Sequence, residues 1–242
     1  LSDDTRRLIR RVARELGYDA SRLRGKLRRL VLLVHAQHSR FAANPFYSHV
    51  LQGVEAACRD WGIVPTLLVA GPADPVRDLL RLHEADALIA AGYFEAEVLA
   101  LLASLELPIA LVDCAQVGLA SVNPDNVQGG RLATRHLIDC GRHRIAYLAG
   151  SLAHFSIRER AQGYRRALFE AQRLADPDLE AIAPPGLDAE QGAEHAMRRL
   201  LRLREPPDAV FAYNDAAALA VLRVCREAGL RVPQDVAVVG FD

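Results

Sequence analysis

The chain has 242 residues, 51% hydrophobic and 25% charged, which is enough apolar material for a sizeable core in one or two domains and excludes a disordered chain. Lys+Arg and Asp+Glu balance at 30 each, but unevenly: residues 1–29 carry +6 and the remainder −6. That distribution directs a basic arm, and not the body, towards nucleic acid or an anionic surface.

The four cysteines, Cys58, Cys114, Cys140 and Cys225, lie far apart with no Cys-x-x-Cys pair, and read as structural thiols of a reducing compartment. No apolar run approaches the ~20 residues of a membrane span, and the start lacks the apolar core of a secretion signal. A cytoplasmic location without a membrane partner is expected. Leu1 in place of a start methionine, and an end at Asp242 directly after a strand, suggest a piece of a longer chain.

Ser2-Asp3-Asp4 suits a helix start, a capping serine with two acids in the first turn. Leu8, Ile9, Val12, Ala13 and Leu16 form the apolar stripe, Arg7, Arg11 and Arg14 share another face, and Gly17 ends the helix. From Leu30 the pattern becomes repetitive. Strands are predicted at Leu30–Val34, Val64–Val69, Ala87–Ala90, Ile109–Val112, Ile145–Leu148, Ala209–Phe211 and Val236–Phe241, with amphipathic helices between most of them and no internal repeat. This alternation implies an α/β fold with parallel sheets and right-handed crossovers.

The helix after the first strand should start at Asn44-Pro45, a cap with proline at its first position, and bury Val50, Leu51, Val54, Cys58 and Trp61. Asp113 closes the fourth strand and Asp125-Asn126 opens another helix. Near the end, Ala218, Val221, Leu222 and Cys225 mark one helical face, and Gly229 stops that helix in the left-handed conformation. Asn214-Asp215 and Asp242 follow the last apolar residues of their strands. They should therefore project from the carboxyl edge of a parallel sheet, where open α/β sheets bind ligands.

Several motifs, in one order, carry a resemblance: Arg-Glu-Leu-Gly-Tyr at 14–18, Leu-Arg-Gly-Lys at 23–26, Asn-Pro-Phe-Tyr at 44–47, the run from Asp125 through Gly129-Gly130-Arg131 to Gly150, Ser156-Ile157-Arg158-Glu159-Arg160, Tyr213-Asn214-Asp215, and Asp235 to Asp242. Together they resemble the LacI/GalR family of bacterial repressors, from about Ser2 to Asp242. The resemblance implies two similar Rossmann-like subdomains of the periplasmic-binding-protein type. Residues 1–18 would be a remnant of the helix-turn-helix headpiece, its third helix, and 19–29 the hinge. The N-terminal effector subdomain would span 30–150, and the C-terminal one, incomplete, 151–242.

The family likeness implies a sequence-specific DNA-binding repressor whose affinity for operator DNA is set by a small sugar, acting as a homodimer, with no cofactor and no metal. A periplasmic-type sugar-binding protein without DNA function is the rival, and the basic arm in place of a signal peptide argues against it. In the hinge, Leu23 matches a leucine that wedges into the minor groove, and Arg22, Arg24 and Lys26 flank it as DNA contacts. The hinge is about four residues shorter than the usual pattern, roughly one helical turn.

A sugar needs planar hydrogen-bonding groups for vicinal hydroxyls and an apolar surface for the ring's C–H face. Asp113, Arg160, Asn214 and Asp242 match effector-binding positions, although each alone also reads as a helix cap or a surface ion pair. Ser156 matches another such position and alternatively caps its helix. Phe46 and Tyr47 match positions lining the cleft floor, or pack in the core. Leu187 stands where several relatives place a stacking aromatic.

Catalysis has no support in sequence: there is no Gly-x-Ser-x-Gly, Walker, Gly-x-Gly-x-x-Gly or His-Glu-x-x-His motif. His35 and His38 lie close together, but no cysteine or acid follows at zinc-ligand spacing. They read as surface or structural histidines.

Overall fold

A computed structural model describes residues 27–39, 45–184 and 186–242. The chain divides into two compact units, 1–122 and 123–242.

In the first unit, strands β1 (Arg29–His35), β2 (Val64–Ala70), β3 (Ala87–Ala91), β4 (Ile109–Val112) and β5 (Ala120–Val122) form one parallel sheet in the order β2-β1-β3-β4-β5. Helices α1 (Pro45–Trp61), α2 (Val76–Leu82) and α3 (Ala96–Ala103) alternate with the strands. Alternate residues of β1 serve opposite faces. Leu30, Leu32 and Val34 pack with Tyr47, Val54 and Cys58 of α1, while Val31 and Leu33 join Val76 and Leu80 of α2 and Leu102 of α3. Helices on both faces explain why β1 is an unbroken apolar run rather than an alternating one.

The second unit repeats the plan. Strands β6 (Ile145–Ala149), β7 (Glu180–Ile182), β8 (Ala209–Ala212) and β9 (Ala237–Val239) form a parallel sheet in the order β7-β6-β8-β9. Helices α4 (Asn126–Asp139) and α5 (Phe155–Glu170) cover one face around Tyr147, Tyr164 and Phe211. Helices α6 (Ala189–Leu200) and α7 (Asp215–Glu227) cover the other around Met197, Leu200, Val221 and Val224.

Both units use one device at the amino edge of the sheet. Asp86, just before β3, accepts from the backbone N–H groups of Arg28 and Arg29 at 2.9 and 2.8 Å. Asp208, just before β8, accepts from those of His143 and Arg144 at 2.8 and 2.9 Å. The architecture is thus internally repeated, although no self-similarity is legible in the sequence.

Several expectations need correction. The units divide between Val122 and Asn123, not at Gly150-Ser151, because α4 packs on α5 and β6 is a central strand of the second sheet. Trp61, the last residue of α1, is 43% exposed rather than buried. Strand β9 is shorter than Val236–Phe241. The three-residue strands β5 and β7 lie at sheet edges, where one or two apolar side chains suffice and leave no periodicity to read. Gly229 does follow α7 with φ +72°.

Candidate ligand-binding site

In both sheets the chain leaves the first strand for one neighbour and returns on its other side, so a topological switch point falls between β1 and β3 and again between β6 and β8. Crevices at such points, outside the carboxyl ends of the strands, are where open α/β sheets hold ligands. The polar residues of interest stand at these ends.

In the first unit, Asp113 directly follows β4 and adopts φ +59°, a left-handed conformation uncommon for a residue with a Cβ. It is 6% exposed. Tyr47, in the first turn of α1, donates its hydroxyl to Asp113 Oδ2 at 2.9 Å. The other oxygen, Oδ1, is buried and has no hydrogen-bond partner among the described residues. The His38 ring stacks on Tyr47, centroids 4.5 Å apart and 25° between planes. Gly92, φ +100°, makes room, since a Cβ there would lie 2.6 Å from the His38 ring.

His35 ends β1, and its Nδ1 accepts the Gln37 N–H at 3.3 Å. That leaves the ring proton on Nε2, which lies 3.4 Å from Glu95 Oε1. Tyr93 and Phe94 approach the His35 ring edge-on, at 5.8 and 6.0 Å. Burial, then the charges of Glu95 and Glu97, push the Tyr93 hydroxyl above its ordinary range. Burial, then the Asp113 charge, pushes the Cys114 thiol up to about 12, so this cysteine is an inert packing group, as expected. Phe46 packs edge-on to Tyr47 at 5.1 Å.

In the second unit, Arg160 of α5 is 7% exposed. Its Nε donates to Asn126 Oδ1 at 2.9 Å, its Nη1 donates to the Tyr213 carbonyl at 2.6 Å, and its guanidinium lies 3.7 Å from the centroid of the Phe241 ring. The seat for this arrangement is made of missing side chains. A Cβ on Gly130 would collide with the Arg160 backbone, one on Gly163 with the backbone of Val127 and Arg131, and one on Gly129 with the Phe241 ring. These glycines let α4 and α5 approach closely enough for Asn126 to reach Arg160.

Tyr213, at the carboxyl end of β8, has its hydroxyl pushed up to about 12; burial is the main cause, Arg160 opposes it, and the Asp188 and Asp242 charges add to it. Asp242 accepts the Asp215 N–H at 3.2 Å. Asn214 caps α7, accepting the Ala217 N–H at 2.8 Å. Its carbonyl oxygen therefore does the structural task that the sequence had left as the alternative. Ser156 is buried one turn before Arg160, and His154, not Ser156, is the N-cap residue of α5. Leu187 is 43% exposed and lines a groove over α6 with Gln191, His195 and Arg198.

The structure thus gathers Phe46, Tyr47 and Asp113 at one sheet edge, and Arg160, Asn214 and Asp242 at the other. Sequence reasoning missed His35, His38 and Glu95, as well as the roles of Asn126 and Phe241. The signal available was position: His35 ends an apolar strand, and Phe241 directly precedes Asp242 in a singled-out motif. Leu23, Arg22, Arg24 and Lys26 lie outside the described residues. Among the described residues, no three His, Cys, Asp or Glu side chains group as metal ligands, and no helix is long and apolar enough to cross a membrane.

Two all-parallel sheets with polar groups at their switch points define a periplasmic-binding-protein-like core, and residues 134–242 match the family model of the periplasmic binding protein-like domain. The HTH-type transcriptional regulator CelR of Thermobifida fusca is 33% identical over 100% of the chain and 74% of its own length, and DegA of Bacillus subtilis 30% identical over the same shares. A solved complex of the transcriptional regulator CelR with cellobiose superposes with a TM-score of 0.79 at 32% identity, covering 100% of this chain and 75% of that one. The chain belongs to the LacI/GalR family of transcriptional regulators.

Proposed function

We propose that this chain is the effector-binding core of a sugar-responsive repressor, and that the two sheet edges carry its effector contacts. Asp113 carries the reading. A carboxylate oxygen with no donor among the described residues, on a left-handed backbone at the carboxyl edge of a parallel sheet, costs free energy unless something supplies a hydrogen bond. Saccharide hydroxyls are such donors, and the complex of CelR with cellobiose shows a similar chain holding one.

Arg160, Asp242, Asn214 and Ser156 serve the second edge, with Phe46 and Tyr47 at the first. Leu187, aliphatic and on the α6 groove, supplies no stacking ring. Leu23, Arg22, Arg24 and Lys26 contact operator DNA, and the effector shifts the core between operator-bound and operator-released arrangements through its different affinity for each.

The protein acts as a homodimer, which suits two-fold operators. The apolar exposure of Trp61, Val64, Leu67 and Val69 at the end of α1 and along β2 supports that reading. Light scattering should give twice the monomer mass. Function is tested by selecting operators with the full-length protein, with and without saccharides chosen by thermal shift. A bound sugar at 100 times its Kd adds ~2.7 kcal/mol of stability. A protein that selects no DNA sequence in either condition overturns the repressor reading.

A further inference from the structure

Helix α6 carries two rows of charge. On the side turned to α7, Arg198 pairs with Glu194 at 3.2 Å and with Glu227 at 2.6 Å, and Arg223 of α7 pairs with Glu190 and Glu194 at 2.6 and 3.4 Å. That row is neutralised. The other row is His195, Arg199 and Arg202, all exposed, and among the described residues no carboxylate pairs with any of them. Arg199 gives one N–H to the Glu180 carbonyl at 3.4 Å, a neutral acceptor.

Like charges one turn apart on a helix repel and cost stability. A helix C-terminus favours cations, which accounts for Arg199, but His195 precedes the last turn of α6 and Arg202 lies beyond its end at Leu200. From His195 to Arg204 the chain has four arginines and no acid, in a body, residues 30–242, of net charge −6. The row is therefore a local cationic strip on an otherwise acidic body. It lines a groove of about 490 Å³, with Leu187, 43% exposed, at the end next to the start of α6.

We propose that this groove docks an extended acidic segment of a partner protein, with its carboxylates on His195, Arg199 and Arg202 and an apolar residue on Leu187. A small-molecule pocket buries ~70–90% of its ligand, which walls as exposed as these do not provide. An extended chain fits the strip. Its alternate side chains lie about 6.6 Å apart, close to the ~5.4 Å of one helical turn, and an arginine fork takes a carboxylate through two parallel N–H bonds. Nucleic acid fits less well, because three cations on an acidic body supply little of the phosphate neutralisation on which its affinity rests.

The test is fluorescence anisotropy on the full-length protein with a labelled synthetic peptide, one leucine followed by glutamates at alternate positions among alanines. The peptide should bind, and its glutamine counterpart should bind at least about tenfold more weakly. The double variant Arg199→Ala/Arg202→Ala should lose at least about tenfold in peptide affinity, and the charge-retaining Arg199→Lys/Arg202→Lys should keep most of it. Arg135→Ala, which removes an exposed arginine of α4 paired with Asp139, should bind as wild type does. A double alanine variant that binds the peptide as tightly as Arg135→Ala overturns the proposal, because the basic arm then takes the peptide. Two further results also overturn it. In one, the same substitutions weaken a labelled duplex DNA as much as the peptide, which makes the groove a nucleic-acid surface. In the other, inorganic pyrophosphate displaces the peptide at equimolar concentration, which makes it a small-anion site.

Discussion

The two units share a strand order and an aspartate that ties the first and third strands at the amino edge, yet their carboxyl edges are built from different chemistry. At the first edge an acid, Asp113, is held by one phenol and backed by stacked rings. At the second a cation, Arg160, is held by an amide, a backbone carbonyl and a phenyl face, and the amide reaches it because two helices meet at glycines. The sheet decides where a ligand site can lie. The residues just past each strand, and the helices behind them, decide what it can bind.

That difference predicts unequal sensitivity. Gly163→Ala should have the largest effect, because its Cβ meets backbone that cannot rotate away. Separating α4 from α5 should cost about 3 kcal/mol by thermal unfolding and weaken effector binding as Asn126 leaves Arg160.

At the first edge, Tyr47→Phe removes the hydroxyl that donates to Asp113 Oδ2 and should cost about 2 kcal/mol of stability while lowering effector affinity. Wild-type stability in this variant would show that the acid is otherwise satisfied.

Phe241→Leu acts more mildly. Losing the cation–π contact, about 1 kcal/mol, should reduce effector affinity several-fold, with Phe241→Tyr retaining it. Equal losses in both variants would make Phe241 mere packing.

The smallest effect concerns what the units share. Backbone N–H groups of Arg28 and Arg29 hold the Asp86 carboxyl below the usual range. A lowered folded-state value stabilises the fold above the unfolded pKa, about 3.9, and that contribution is lost as pH falls through the folded value. Asp86→Ala should therefore lower Tm at neutral pH, and the gap to wild type should close well below pH ~4. A gap that persists undiminished in acid would assign the effect to lost packing.

Much of this was legible in sequence for a physical reason. The central strands announced themselves because helices cover both faces and force apolar runs, whereas β2 reads as a strand although it lies at a sheet edge with Val64, Leu67 and Val69 exposed; Asp113 and Asp242 stood out because each is the first polar residue after an apolar run. Asn126 and Arg160 were visible as residues but not as partners, since their contact spans 34 positions and depends on Gly130 and Gly163, whose meaning emerges only when two helices cross. His35 was read as structural, and only the fold sets Glu95 beside it. The unit boundary was misplaced because a crossing between two similar α/β units carries no compositional mark.

The central proposal, that the strand-end residues Asp113 and Arg160 contact effector, is tested most directly by titrating a binding saccharide into folded Asp113→Ala and Arg160→Ala proteins by calorimetry. Each variant should lose about 10- to 100-fold in affinity, the cost of removing one partner from a charge-assisted hydrogen bond. Wild-type affinity in both would contradict the account.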